Sequence, residues 1–229
     1  MKQIFTLAVI LAALSSNAQT NPVTCYTFDP GKVNKKLSST LDSLYQEDQR
    51  YRMELSKLKK ENAPKSVVDS LSAIIKTKDN SNLAFVEKWI NKHGWLGPEE
   101  IGFMGVQAVF LVIQHADLKT QKKYYPMLKK AEREGNILSS NVALIEDRIA
   151  IREGRNQTYG SQFYVDPESK KNIVYPLENV EDVDRLRKSV GLQPMKEYVK
   201  DWSIESYTSN LPEAALLLKK SKSKNNDRK

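Results

Sequence analysis

Four charged residues stand where apolar side chains belong, and their chemistry needs a reason. Asp48 and Arg52 fall on the face of an amphipathic segment that also carries Leu37, Leu41, Leu44, Tyr45, Tyr51, Leu55 and Leu58. Arg148 lies between Leu144 and Ile151 on the apolar side of another segment, with Asp147 at its margin. A charge drawn among apolar groups is costly unless it is paired or densely hydrogen-bonded. Two acids and two arginines can therefore form a buried ion-pair network that fixes helix register, and Asp48 is the expected partner of Arg148. The same residues can instead line a polar pocket, where Arg52 or Arg148 grips an anionic group while Asp48 or His115 moves a proton.

The run Gln114-His115-Ala116-Asp117 adds an imidazole and a third acid. His115 and Asp117 could serve as an imidazole with its orienting carboxylate, or as two metal ligands. Residues two apart on a helix point away from each other, and the chain has only 2 histidines, so neither a metal site nor a cofactor is expected. The plainer role for both is to cap the end of a helix. The amides of Gln114, Gln157 and Gln162 and the phenol of Tyr159 can line the wall of a ligand pocket, because buried amides and phenols need partners. No phosphate-cradling glycine loop, HExxH, GxSxG or cysteine pair is present. Catalytic candidates are thus Asp48, His115, Asp117 and Asp147, and ligand-binding candidates are Arg52, Gln114, Arg148, Gln157, Tyr159 and Gln162.

The element that must position them runs from Gly97 to Asp117. Gly97, Pro98, Glu99 and Glu100 form a helix-start signal, and Ile101 to Ile113 is apolar on nearly every side, which predicts a helix enclosed by the rest of the chain. Around it the 3.6-residue period predicts helices from Lys35 to about Glu61, from Pro64 through Ile75, from Leu83 to Lys92 after a polar turn at 79–82, from Lys119 to Glu134, and from Val142 to Glu153 capped by Ser139 or Ser140. His93 sits in the last turn of the Leu83 helix, where a ring donor caps free carbonyls. The period then changes. Aromatic and β-branched residues flank Asp166-Pro167-Glu168-Ser169-Lys170 and predict one β-hairpin, about 158–176. Short helices follow at 180–190, 194–201 and 212–218. The expected fold class is mainly α (α+β), a multi-helix domain around a buried central helix, about 98–117, with one hairpin.

The 229 residues allow one sizeable core. Lys2, the apolar run Ile4–Leu14 and the small residues Ser16 and Ala18 read as a secretory signal over residues 1–18, too short to span a bilayer. An extended lead-in is expected over 19–34, one mostly helical domain over 35–202, and a short helix with a basic disordered tail over 203–229. The single Cys25 permits no internal disulfide. The net charge of +8 is concentrated at the end: Lys219, Lys220, Lys222, Lys224, Arg228 and Lys229 against Asp227 hold +5, and Lys2 leaves with the signal, so the body carries about +2. That distribution argues against specific nucleic-acid binding and leaves a weak contact with an anionic surface as the tail's one suggested partner.

Several polar motifs recur together in one known pattern: Asp48-Gln49-xx-Arg52, Gly94-Trp95, Gln114-His115-Ala116-Asp117, Glu146-Asp147-Arg148, Gln157-x-Tyr159-Gly160-Ser161-Gln162, and Arg187 with Gly191-Leu192. With these the chain resembles an uncharacterised family of exported bacterial proteins, a domain of unknown function, over about residues 40 to 200. Leu96 and Ser161 depart mildly from the family's proline and threonine. The resemblance implies that these motifs belong to one unit and brings no activity with it. The expectation is an exported envelope protein that binds a small molecule or an envelope partner through its polar cluster, or uses that cluster only to fix the fold. The alternative is a small hydrolase in which His115 works with Asp48 or Asp117 while Arg52 and Arg148 hold an anionic substrate.

Overall fold

The computed structural model describes residues 22–26 and 28–226, with side chains through Ser223. The expected signal at 1–18, the start of the lead-in and the last three residues of the tail lie outside the described residues. The described chain is mainly helical with one small hairpin: α1 (Lys35–Lys60), α2 (Lys65–His93), α3 (Pro98–His115), α4 (Leu118–Arg133), α5 (Ser139–Glu153), β1 (Phe163–Val165), β2 (Asn172–Val174), α6 (Val183–Ser189), α7 (Met195–Tyr198) and α8 (Ile204–Asn226). No helix among the described residues is long and apolar enough to cross a membrane.

The enclosed central helix is α3. Its Val106, Ala108, Val109, Phe110, Val112 and Ile113 are all buried in the main core. Gly97 and Pro98 open it as expected, and the Glu100 carboxylate turns back to accept from the Gly97 N–H at 2.9 Å. The first turn is broken at Gly102, whose φ of 71° a side-chain-bearing residue would adopt only at a cost. Contacts between α1 and α3 advance together along both: Asn34 N–H donates to the Glu100 carbonyl, Leu41 packs against Gly105, and Asp48 meets His115. The two helices are therefore parallel, and α2 returns antiparallel to α1, tied by Lys78 to Glu47 at 2.5 Å and by Asp79 to Arg52.

Three expectations change here. The polar turn at 79–82 does not exist; α2 continues through it, because those residues include neither Gly nor Pro, Asp79 faces Arg52, and Asn82 is buried. Ser139 does not cap α5 from outside. It is the first helical residue, its hydroxyl accepting from Val23 N–H at 2.9 Å while its own N–H bonds the Val23 carbonyl, so the lead-in is stitched to α5. The last helix spans 23 residues rather than a short piece at 212–218, and the basic stretch to Asn226 is helical. Tyr207, Asn210, Ala214 and Leu218 recur at helical spacing and are all buried, which gives α8 a continuous inward stripe.

The hairpin pairs Phe163 with Val174, Tyr164 with Ile173 and Val165 with Asn172. Val174 joins Leu177, Val183, Met195, Val199 and Tyr207 in a second, smaller core.

Candidate functional site

Two polar clusters emerge on either side of α5, and they differ in kind. The first is a closed loop scaffold. Asp147 is fully buried, and its carboxylate accepts the N–H groups of Thr158, Tyr159 and Ser161 at 2.8, 3.0 and 2.9 Å. Burial pushes this carboxyl up, against the pull of those three donors. Gln157, also fully buried, spends its amide within the same loop: its Nε2 donates to the Gln162 and Tyr175 carbonyls, and its Oε1 accepts from Gln162 N–H, each at 2.9 Å. The Gln162 side chain donates to Ser161 Oγ at 3.0 Å. Arg187 clasps the loop through Nη1 to the Tyr159 carbonyl at 2.7 Å and stacks 4.6 Å over the Tyr198 ring. These residues hold a tight turn and leave Gln157 no free group for a ligand. Asp147 and Gln157, expected in a pocket with Asp48, are here engaged with the backbone of this loop, the carboxylate by three N–H donors and the amide by two carbonyls and one N–H. The Tyr159 phenol is raised to about 12 by burial and then by the charges of Glu146 and Asp147.

The second cluster joins α1, α2, α3 and α5. His115 Nδ1 lies 3.2 Å from both carboxylate oxygens of Asp48, and Arg52 reaches Asp48 at 3.4 Å while also pairing with Asp79. Gln49 Nε2 donates to Asp48 Oδ2 at 2.6 Å. Burial pushes the Asp48 carboxyl up, but His115 and Arg52 outweigh it and hold the group below its ordinary value. Asp79 ends above its ordinary value, since burial exceeds the pull of Arg52 and His115. The imidazole makes no other hydrogen bond among the described residues.

Arg148, on α5, is near enough to Arg52 for the two charges to repel, but it is not the partner of Asp48. Among the described residues it has no ion pair or hydrogen bond, and its Nε is fully enclosed without an acceptor. Burial, and after it the charge of Arg152, push its guanidinium down to about 10; Arg52 adds to the repulsion and the Tyr198 phenol opposes it. Asp48 is unavailable because α3 delivers His115, and α1 delivers Arg52, to the same carboxylate. Arg152, one turn beyond Arg148, donates to the Ala116 carbonyl at 2.6 Å and closes the end of α3.

Asp48, Asp79 and His115 bring three possible ligand atoms within 4.8 Å of one another, a donor set that could hold a cation. Arg52 already occupies both carboxylates, so a cation there would have to compete with a guanidinium that is in place. Asp117 stands apart: it caps α4 by accepting from Thr120 N–H at 2.7 Å, which draws its carboxyl down. Gln114 is buried beside the cluster's helix, its carbonyl accepting from Gln121 Nε2 at 2.6 Å and its Oε1 without a donor. Asp79, Arg152 and Tyr198 escaped notice in the sequence. Asp79 was hidden by its place in an apparent turn, and its distance of four positions from Ile75 on a helix would have marked it only once α2 was read as continuous.

The order of elements, the enclosed helix and the motif-bearing cluster define a helical domain whose polar residues lie within one shared unit. A family of unknown function, DUF6624, matches residues 35–208, and the chain belongs to it. No curated protein and no solved structure matches the chain.

Proposed function

We propose that the chain is an exported ligand-binding protein of the cell envelope, which takes an anionic group of a small molecule on Arg148 beside the Asp48–His115 pair. The observation that carries this reading is the state of Arg148: a half-buried guanidinium with its Nε enclosed and without an acceptor, repelled by Arg152 and Arg52, and with no ion pair or hydrogen bond of its own among the described residues. A half-buried cation without a partner costs free energy until an anion arrives, and guanidinium geometry suits a carboxylate or phosphate.

Calorimetric titration of the purified chain with phosphate, sulfate, acetate and citrate tests the reading. Saturable binding of one of these anions, lost in Arg148→Gln, is expected. Equal binding by Arg148→Gln, or heat of dilution alone with every anion, overturns it. Export is tested separately by the N-terminus of the protein recovered outside the cytoplasm, which should begin at Gln19.

A second reading rests on one contact, Asp48 with His115 at 3.2 Å. An imidazole oriented through Nδ1 can act as a general base through Nε2 on a water molecule, while Arg148 steadies the anionic part of an ester substrate. Hydrolysis of a panel of p-nitrophenyl esters and phosphates that disappears in His115→Gln would support it; a flat baseline in the wild-type chain would remove it.

A further inference from the structure

A cleft of about 960 Å³ lies away from the Arg148 cluster, between the α1–α2 corner and the tip of the hairpin. Its apolar lining comes from Ala63 and Val68 on one side and from Tyr164, Val165 and Pro167 on the other. Val165, in the end pair of the hairpin, is 49% exposed. The two walls touch where Lys170 Nζ donates to Asn62 Oδ1 at 3.1 Å.

The rim is cationic. Lys59, Lys60 and Lys170 line the cleft, and none of them has an ion-pair partner among the described residues. The one acid in the lining, Asp166, turns its Oδ1 into the hairpin turn, where it accepts from the N–H groups of Glu168 and Ser169 and from the Ser169 hydroxyl, and its charge offsets only one of the three lysines. An apolar trough with three lysines at its mouth, none of them in an ion pair among the described residues, is complementary to a molecule that has an apolar body and one anionic end. Its volume is in the range of sites that enclose a single small ligand.

We infer that this cleft binds a fatty-acid-type amphiphile, with the acyl chain along Ala63, Val68, Val165 and Pro167 and the carboxylate at Lys59, Lys60 and Lys170. The site is separate from the Arg148 cluster and shares no side chain with it.

The test is calorimetric titration of the full chain with dodecanoate below its micelle concentration, beside dodecanol and dodecyltrimethylammonium of the same chain length. Saturable binding of dodecanoate, at least tenfold tighter than of either control, is expected. The double variant Lys59→Glu/Lys60→Glu should weaken it tenfold or more, and so should Val165→Glu; circular dichroism melts establish that each variant is folded, and Lys170→Gln, an exposed single change, gives the same readout should either fail to fold. Arg148→Gln should bind dodecanoate as the wild type does, which separates this site from the anion site above. Equal affinity for dodecyltrimethylammonium, unchanged affinity in the folded lysine variants, loss of binding in Arg148→Gln, or attachment to phosphatidylglycerol vesicles without dodecanoate binding would each overturn the inference.

Discussion

His115 and Asp48 lie 67 positions apart in the chain and meet with Nδ1 3.2 Å from the carboxylate, because parallel α1 and α3 bring the last turn of the enclosed helix beside the middle of α1. Asp48 is held below the ordinary carboxylate value by His115 and Arg52 against the opposing effect of burial. A carboxyl depressed in the folded state stabilises the fold above its unfolded value of about 4, and that contribution disappears as pH falls through the lower folded value. Asp48→Asn should therefore cost about 2–4 kcal/mol at neutral pH. The gap between wild type and variant in urea melts should narrow below about pH 4. A gap that is constant from pH 7 to pH 3 would mean that the carboxylate charge is not what matters.

Arg148 gives the opposite sign. A guanidinium pushed down to about 10 by burial and by Arg152 remains charged at neutral pH, so its unpaired charge is a cost to the fold. Arg148→Met keeps the length of the side chain and removes the charge. It should raise the melting temperature by roughly 2–4 °C, the shift of about 1 kcal/mol in a chain of this size. A fall in melting temperature would show that the guanidinium has a fixed partner.

Asp147 serves the loop rather than a substrate. In Asp147→Asn one oxygen remains for three donors, Thr158, Tyr159 and Ser161, and the amide it gains faces N–H groups. A loss of about 1–3 kcal/mol is expected, with faster hydrogen exchange at those three amides and little change in α1–α3. Unaltered exchange at all three would refute the scaffold role.

Gly160 turns that loop at φ 65°, and a Cβ there would stand 2.9 Å from Met195 Sδ. Both the backbone conformation and the lack of room oppose a side chain. Gly160→Ala should destabilise by about 1–3 kcal/mol. Combining it with Met195→Ala should recover part of the steric share, which a double-mutant cycle in denaturant measures.

Much of this molecule is written locally. Period and punctuation are properties of adjacent residues, so the apolar run Ile101–Ile113, the helix-opening Gly97-Pro98 and the turn between Val165 and Lys171 were legible, as was the inward placement of Asp48, Arg52 and Arg148. A polar stretch without Gly or Pro has no such punctuation, and only the pairing of Asp79 with Arg52 and the burial of Asn82 explain why α2 runs straight through. Likewise the part of α8 before 212 rests on a buried stripe that begins at Tyr207, which an apolar count centred on 212–218 does not reach. Which charge meets which was decided in three dimensions. Asp48 and Arg148 both face inward, yet partner choice depends on the register of helices far apart in the chain, and that register delivers His115 to Asp48 while leaving Arg148 among arginines.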